Sequence, residues 1–213
     1  MAGDVVYGRN PVREAQRGRR RVHRVLTAED TDAAELTRLA GSPDHQGIVA
    51  EVDPYPYADP TTLLKAPDAM VVALDQVQDP RNLGAICRSA EAAGAAGVVT
   101  LERRAASVTP AACKASAGAV EHIPVARVRN LTDWLGHARA WVYGADAEAE
   151  TPYSTLDLSG RVVLVLGGEG GGLRPRVAAA CDLLASIPTT GLVGSLNVSA
   201  AAAVLLFAAP RSS

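Results

Sequence analysis

From residue 69 onward the chain alternates short apolar runs with segments of helical character, and this alternation limits the possible folds more than any other feature. Runs such as 69–74 and 97–101 lack the polar–apolar alternation of a half-exposed strand, as expected of strands covered on both faces. Strands that alternate with helices predict an α/β fold with a mostly parallel sheet. The predicted strands are 69–74, 97–101, 141–144, 162–166 and 184–187. The predicted helices are 82–94, 110–120, 174–181 and 195–208.

The segment before this alternation differs in composition. Residues 1–53 are mixed and charged, and three prolines fall within the seven residues 54–60. Proline removes a backbone donor and restricts its predecessor to extended geometry, so this stretch favours a linker. Before it, helices are predicted at 10–16, capped by Asn10, and at 32–39. We therefore predict three parts, which are an N-terminal segment (1–53), a proline-rich linker (54–68) and an α/β domain (69–213).

Composition narrows the class of protein. Hydrophobic residues make up 48% and charged residues 21% of the chain, which is ordinary globular usage and excludes wholesale disorder. The three cysteines are far apart and form no C-x-x-C pair, which excludes a disulfide framework and a zinc ribbon and predicts a cytoplasmic location. The four histidines show no metal-ligand spacing. No apolar run reaches 18 residues and no signal segment is recognised, so we expect neither a membrane partner nor a bound metal.

The net charge of −2 conceals a basic block in the first part of the chain. Residues 1–24 contain two acidic side chains and seven arginines. The arginines are Arg9, Arg13, Arg17, Arg19, Arg20, Arg21 and Arg24. Such a block is typical of a surface that contacts phosphates, but it also fits a solvated loop around Gly18. Charge alone does not separate these two interpretations.

Three loops that follow predicted strands carry unusual residues, and ligands of an open parallel sheet bind beyond the carboxyl ends of its strands. The first loop leads into a helix that contains Asn82 and Arg88. We predict Asn82 to be the helix cap, with an amide that can also face a ligand. Arg88 lies more than one turn inside the helix, where a lone arginine is most often part of a structural ion pair.

The second loop, 167–172, has five glycines in six positions, and Glu169 stands alone among them. No Lys-Ser/Thr follows, which excludes a phosphate-binding P-loop, and Leu173 breaks the dinucleotide-binding glycine fingerprint. The run can be a flexible turn. However, ordering so many glycines is costly in chain entropy, which favours a close approach of backbone to a ligand.

The third loop, 187–199, places polar residues at the start of a strongly apolar helix. Ser195 is predicted to be the helix N-cap. Asn197 is expected inside the first turn, where its short side chain competes with the helix hydrogen bonds. A capping role for Ser195 leaves that asparagine unexplained.

Together the three loops resemble the signature motifs of the SpoU (TrmH-type) RNA 2′-O-ribose methyltransferases, which belong to the SPOUT superfamily. The motifs are Asn-x-Gly-x-x-x-Arg at 82–88, Gly-x-Glu-Gly-x-Gly at 167–172, and Ile-Pro…Gly…Ser-Leu-Asn-Val-Ser at 187–199. Within that family the chain is most similar to the enzymes that methylate a guanosine of 23S ribosomal RNA. Those enzymes share a Tyr-Gly-x-x-x-Val segment, here 7–12, and His-Gln-Gly-Ile, here 45–48.

The resemblance implies more about fold and partners than the sequence pattern does. It implies a deep trefoil knot in the C-terminal part of the α/β domain, which is an exception to the rule that chains do not thread loops. It also implies a small L30e-like α/β segment before that domain, shortened in this chain. The implied partners are ribosomal RNA and a second copy of the chain, which would form a homodimer through the knotted domain.

The resemblance also implies a cofactor and a reaction, in which a methyl group passes from S-adenosylmethionine to a ribose 2′-hydroxyl. Arg88 would orient a phosphate and stabilise the developing alkoxide, because an arginine rarely loses its own proton. Glu169 is expected to hold Arg88 by a paired hydrogen bond. The polar ring around Arg88 and the ribose would be Asn82, Glu169, Ser195 and Asn197. The residues implied to contact the cofactor are Gly167, Gly168, Gly170, Ile187, Leu192 and Leu196.

Two alternatives stay open. The same catalytic domain could methylate transfer RNA, or the chain could be a non-catalytic RNA-binding or ribosome-assembly protein with this fold. An oxidoreductase is disfavoured because the dinucleotide fingerprint is broken. Aromatic residues make up only 4% of the chain, which favours electrostatic docking to RNA over base stacking.

Overall fold

The computed structural model describes residues 4–192 and 194–209 and arranges their strands in two sheets. The smaller sheet is antiparallel, with its last strand in the centre. Its strands are β1 (Asp4–Tyr7), β2 (Val22–Thr27) and β3 (Ile48–Val52), and its helices are α1 (Arg9–Arg17) and α2 (Ala33–Ala40). Val193 of the third motif, together with 1–3 and 210–213 at the ends of the predicted parts, lies outside the described residues.

The larger sheet has six strands in the order β6-β5-β4-β8-β7-β9, and every neighbouring pair is parallel. This confirms the predicted α/β fold with a parallel sheet. The strands are β4 (Met70–Asp75), β5 (Gly97–Leu101), β6 (Val125–Val128), β7 (Trp141–Ala145), β8 (Val162–Gly167) and β9 (Leu183–Ala185). The helices are α3 (Pro80–Ala92), α4 (Pro110–Ala115), α5 (Leu131–His137), α6 (Pro175–Ala178) and α7 (Val198–Ala208).

The central strand β4 is buried on both of its faces. Successive side chains of a strand point to opposite sides, so Val72 and Leu74 join the core on one face while Val71 and Ala73 join the core on the other. The first of these cores also contains Val52 of the small sheet. The two sheets therefore share apolar packing, and the division into segment, linker and domain stays a prediction.

Several predicted helix boundaries are wrong, because capping is decided by side chains other than those expected. α3 begins at Pro80 and is capped by Asp79, whose carboxylate accepts a hydrogen bond from the Arg81 amide at 2.8 Å. Asn82 is therefore the third residue of the helix and not its cap. The predicted helix 110–120 is interrupted, because Gly118 has a left-handed φ of 94°.

The last helix is also capped differently. Asn197 caps α7, since its Oδ1 accepts a hydrogen bond from the Ser199 amide at 2.8 Å. Ser195 precedes the helix, so the prediction that it is the N-cap is wrong. In the same way α1 begins at Arg9, with Gly8 at the cap position and Asn10 inside the helix.

Within the described residues, no helix is both long and apolar enough to cross a membrane.

The contact between the two sheets is built on two arginines of the basic block. Arg20 has a side chain that is 2% exposed and forms an ion pair with Glu121, whose side chain is fully buried. Arg20 Nε donates to Glu121 Oε2 at 3.0 Å. Beside it, Arg19 donates to the carbonyl of Ile123 at 2.7 Å and to that of Glu121 at 3.2 Å. These two guanidinium groups fasten the small sheet to the turn before β6.

The remaining arginines of the block are exposed. Arg13 and Arg17 both pair with Glu14, at 2.8 and 3.7 Å. The guanidinium groups of the other three arginines lie at the surface and have no hydrogen-bond or ion-pair partner in the described part of the chain. These arginines are Arg9, Arg21 and Arg24. The block is therefore partly a structural element and only partly an exposed basic surface.

We predict that replacement of Glu121 by alanine strongly destabilises the protein. Removal of one partner from a buried ion pair leaves an uncompensated charge, which costs about 3–5 kcal/mol. Urea unfolding followed by circular dichroism should show this loss. Glu102→Ala is the matched control, because Glu102 pairs with Arg129 at the surface, and it should leave the midpoint nearly unchanged. Equal stability of the two variants would contradict the proposed importance of the buried pair.

Candidate functional site

A cleft of about 670 Å³ opens at the carboxyl ends of β8, β7 and β9. Its walls come from the glycine-rich loop after β8, from residues 145–148 after β7, and from Ile187, Thr189 and residues 194–198 before and at the start of α7. A volume of this size is typical of small-molecule sites, which span roughly 300–1,000 Å³. The position agrees with the rule that ligands of parallel sheets bind beyond the carboxyl ends of the strands.

The glycine-rich loop follows a path that side chains would block. A Cβ at Gly167 would overlap the carbonyl of Gly172, and a Cβ at Gly168 would overlap the carbonyl of Gln76. Gly170 has a φ of 80°, in the left-handed region, and open space where its Cβ would lie. The first two glycines therefore permit close packing of the main chain, and the third permits access to the cleft.

Asp75, at the end of β4, fixes both ends of this loop. Its carbonyl accepts a hydrogen bond from the Gly168 amide at 2.8 Å. Its fully buried carboxylate accepts from the Arg174 amide at 2.9 Å and from Arg174 Nε at 2.8 Å. Asp75 and Arg174 were not predicted to be site residues, although an acidic residue at the end of an otherwise apolar strand was a usable signal. This ion pair anchors the loop to the centre of the sheet.

The three sequence motifs meet at Asn82, which is 8% exposed. Asn82 Nδ2 donates a hydrogen bond to Glu169 Oε1 of the glycine-rich loop. Asn197 Nδ2 donates to Asn82 Oδ1 at 3.2 Å, while the oxygen of Asn197 caps α7. One amide side chain thus connects residues that are 87 and 115 positions away in the chain.

Arg88 lies outside this network. The expected hydrogen bond between Glu169 and Arg88 is absent, and Asn82 takes that place on Glu169. Arg88 is exposed on α3 and has no hydrogen-bond or ion-pair partner among residues 4–192 and 194–209. A separation of six residues places it about 240° around the helix from Asn82, which explains why the two side chains are not neighbours.

Most of the other predicted site residues surround the cleft. Those that line it are Gly167, Gly168, Gly170, Ile187, Ser195 and Leu196. Leu192 is fully exposed and lies outside the lining. The structure therefore collects two of the three motifs around the cleft and leaves Arg88 and Leu192 at the surface.

Two acidic residues of the cleft were not predicted. Asp146 and Glu148 follow β7 and line the same wall, and Asp146 Oδ1 accepts a hydrogen bond from the Glu148 amide at 2.9 Å. The sequence feature that could have predicted them is their position directly after a buried strand at this edge of the sheet. Apolar walls with carboxylates on one side suit a ligand that has an apolar part and a positive charge.

One buried thiol, Cys87, lies next to Arg88 in the chain. Burial raises the pKa of Cys87, the neighbour of Arg88, to about 12, so this thiol stays protonated near neutral pH. In the part of the chain that the structure describes, no group of three or more His, Cys, Asp or Glu residues could hold a metal ion.

Comparison with known proteins agrees with this geometry. Residues 69–207 match the SpoU rRNA Methylase family model. An uncharacterized tRNA/rRNA methyltransferase of Mycobacterium avium (strain 104) is 42% identical over 234 residues, covering 95% of this chain and 75% of that protein. A putative TrmH family tRNA/rRNA methyltransferase of Bacillus subtilis (strain 168), YacO, is 37% identical over 233 residues, covering 96% of this chain and 94% of that protein.

Solved structures are similar over nearly the whole chain. The AdoMet-bound rRNA methyltransferase from Sinorhizobium meliloti superposes with a TM-score of 0.85 and 25% identity, over 97% of this chain and 86% of that one. The SpoU methyltransferase AviRb from Streptomyces viridochromogenes superposes with a TM-score of 0.80 and 27% identity, over 97% of this chain and 88% of that one. The resemblance predicted from the three motifs is confirmed, and the chain belongs to the SpoU/TrmH family of RNA methyltransferases.

Proposed function

We propose that this chain transfers a methyl group from S-adenosylmethionine to a ribose 2′-hydroxyl of RNA, and that the target is a guanosine of 23S ribosomal RNA. The observation that carries the proposal is the convergence of the three motifs at Asn82 beside a cleft of suitable size. The Sinorhizobium meliloti relative, described as an AdoMet-bound rRNA methyltransferase, supports the cofactor and the class of RNA. We further propose that the reaction takes place in the cytoplasm.

The residues of the cleft fit this cofactor. Leu166, Ile187 and Leu196 provide apolar walls for an adenine ring, and the glycine backbone offers amides and carbonyls without side chains in the way. The carboxylates of Asp146 and Glu148 complement the positive charge of a sulfonium and of an amino group. When bound, S-adenosylmethionine supplies a methyl group that is already activated for transfer.

Because the donor is activated, the protein has mainly to position the reacting groups and exclude water. Asn82, Glu169 and Asn197 form a polar network that is fixed by mutual hydrogen bonds and is therefore preorganised. Ser195 at the cleft can donate a hydrogen bond to the ribose. We assign these four residues to the orientation of the sugar.

Arg88 is proposed to act as a cation rather than as a base. Arginine keeps its proton above about pH 12. Since Arg88 is exposed and has no partner in the described segments, its guanidinium is available to an RNA phosphate and to the developing alkoxide. If RNA or a second subunit completes the site, the site needs an exposed arginine of this kind, with no partner in the described segments.

A homodimer and a knot belong to the same proposal. Apart from Ser199, every residue of α7 is apolar, and Phe207 is 62% exposed, which favours a covering partner that we take to be a second copy of the chain. After the outer strand β9, the chain passes Thr151 and Tyr153 and returns to α3 near the sheet centre. That return path supports a trefoil knot.

The three-stranded N-terminal sheet is proposed to be the shortened L30e-like RNA-binding segment.

Transfer RNA is the alternative substrate, and the relatives from Mycobacterium avium and Bacillus subtilis are described by names that include both classes of RNA. Methyl incorporation into separately purified 23S ribosomal RNA and transfer RNA distinguishes them. A protein that incorporates no methyl group into either RNA would instead be the non-catalytic RNA-binding alternative.

We predict that Gly167→Ala weakens S-adenosylmethionine binding at least about tenfold, because a Cβ there displaces the main chain of the glycine-rich loop. Isothermal titration calorimetry measures this change. Gly136→Ala in α5 is the matched control, because its Cβ would meet nothing within 4 Å and the position is remote from the three motifs, so it should keep the wild-type affinity. A thermal melt confirms that both variants are folded. An unchanged affinity of a folded Gly167→Ala variant would reject the assigned site.

We predict that Arg88→Ala lowers methyl incorporation into 23S ribosomal RNA on the order of a hundredfold, as expected for loss of one charge-stabilising group. Its S-adenosylmethionine affinity should stay unchanged, because Arg88 does not line the cleft. Arg88→Lys should recover part of the activity, and Glu91→Ala on the same helix is the control. Activity of Arg88→Ala within a few fold of wild type would show that the assigned role is wrong.

We predict that Phe207→Glu dissociates the dimer, because it places a charge in the apolar face of α7. Sedimentation velocity gives the mass of each variant in solution. Trp141→Glu is the control. Its side chain is also exposed, at 59%, but it lies at the start of β7, at the edge of the sheet where the parallel strands begin. If Phe207→Glu stays dimeric, or if the wild type is a monomer, the proposed interface is wrong.

A further inference from the structure

The carboxyl edge of the larger sheet is divided by charge. On one side, Asp146 and Glu148 follow β7 and line the cleft. On the other side, arginines follow the three strands β4, β5 and β6, and all of them are exposed. They are Arg81, Arg103, Arg104 and Arg129. Since all strands are parallel, these loops meet at the same edge as the cleft.

Only part of this positive charge is compensated within the protein. Arg81 pairs with Asp79 at 3.1 Å and Arg129 pairs with Glu102 at 3.4 Å, and both arginine side chains remain at least 80% exposed. Arg103 and Arg104 have no ion-pair or hydrogen-bond partner in the described residues. The uncompensated charge is therefore concentrated in the loop after β5, which the sequence analysis did not single out.

The loop that carries Arg103 and Arg104 is fixed at several points. The Ala106 amide donates to the carbonyl of Val77 at 2.8 Å, and the Val108 amide donates to the hydroxyl of Tyr57 at 2.9 Å. Val77 precedes α3, the helix that holds Asn82. The two arginines therefore lie on an ordered loop beside the polar network. Because the loop is already fixed, it loses little conformational entropy when a ligand binds.

We propose that Arg103 and Arg104, flanked by Arg81 and Arg129, bind the phosphate backbone of the RNA substrate and direct it into the cleft. This inference rests on the proposed function. Phosphates gain free energy at such a surface by releasing condensed counterions. The acidic wall formed by Asp146 and Glu148 repels phosphates, so the RNA reaches the cleft from the β5–β6 side.

This surface differs from the one that the sequence suggests. From sequence, the basic block at 9–24 is a candidate phosphate-contacting surface, but Arg19 and Arg20 hold the two sheets together and two more of its arginines pair with Glu14. The arginines after β5 lie at the catalytic edge instead. Only β4 lies between β5 and β8, so an RNA bound there has to extend over two strand spacings, about 10 Å, to reach the cleft.

The test compares two double variants that each remove two positive charges. Arg103→Gln/Arg104→Gln alters the proposed surface. Lys65→Gln/Arg139→Gln is the matched control, because both residues are exposed and precede β4 and β7 at the opposite edge. Affinity for a fluorescein-labelled 23S ribosomal RNA transcript is measured by anisotropy at several KCl concentrations. Calorimetry with S-adenosylmethionine verifies that the cleft is intact in each variant.

The surface variant should bind the transcript about tenfold or more weakly at 100 mM salt, and the slope of log K against log salt should fall by roughly 1.4–1.8 for two lost phosphate contacts. The control should change neither quantity appreciably. Wild-type affinity and slope in the surface variant, or equal losses in the control, would overturn this inference and leave the proposed function standing. Loss of binding in the surface variant without methylation by the wild type would support the surface and reject the proposed reaction. A wild type that binds no RNA would reject both.

Discussion

The common direction of all six strands in the larger sheet is the constraint on which the site depends. It brings the ends of β4, β7, β8 and β9 to one edge, so that loops distant in sequence become neighbours. Asp75 uses this proximity, because its buried carboxylate and its carbonyl hold the two ends of the glycine-rich loop. Without that anchor, a loop of five glycines would have too much conformational freedom to present Glu169 at a fixed position.

A second buried ion pair connects this sheet to the smaller one. Burial is the largest single influence and would lower the pKa of the Arg20 guanidinium, but the hydrogen bonds and charge interactions with Glu121 and Cys113 together outweigh it and raise the pKa overall. The Arg20 guanidinium therefore stays charged at every physiological pH. Buried pairs of this kind contribute little net stability over apolar contacts, but they tolerate only one relative orientation of their partners. We infer that this pair sets how the small sheet sits on the larger one.

Secondary structure was predictable where a segment is buried on both faces or has an unambiguous apolar pattern. The strands at 69–74, 97–101 and 162–166 correspond closely to β4, β5 and β8 for this reason. The three strands of the small sheet were not predicted, because they are short and partly exposed and resemble mixed, charged coil. Strand β6 was not predicted either, because it is only four residues long and the exposed Arg127 interrupts its apolar run.

The sequence by itself determined the family, the parallel sheet and the three motifs, because residue types and spacings at such motifs are local properties of the chain. Tertiary structure alone decided which side chains meet. Asn82, not Arg88, contacts Glu169, because the helical rotation between positions 82 and 88 carries the arginine to another face of α3. Tertiary structure likewise decided which arginines are consumed by buried or local pairs and which remain at the surface. Ion pairing depends on distances between residues far apart in the chain, such as Arg20 and Glu121, which are 101 positions apart, and no local pattern of sequence encodes those distances.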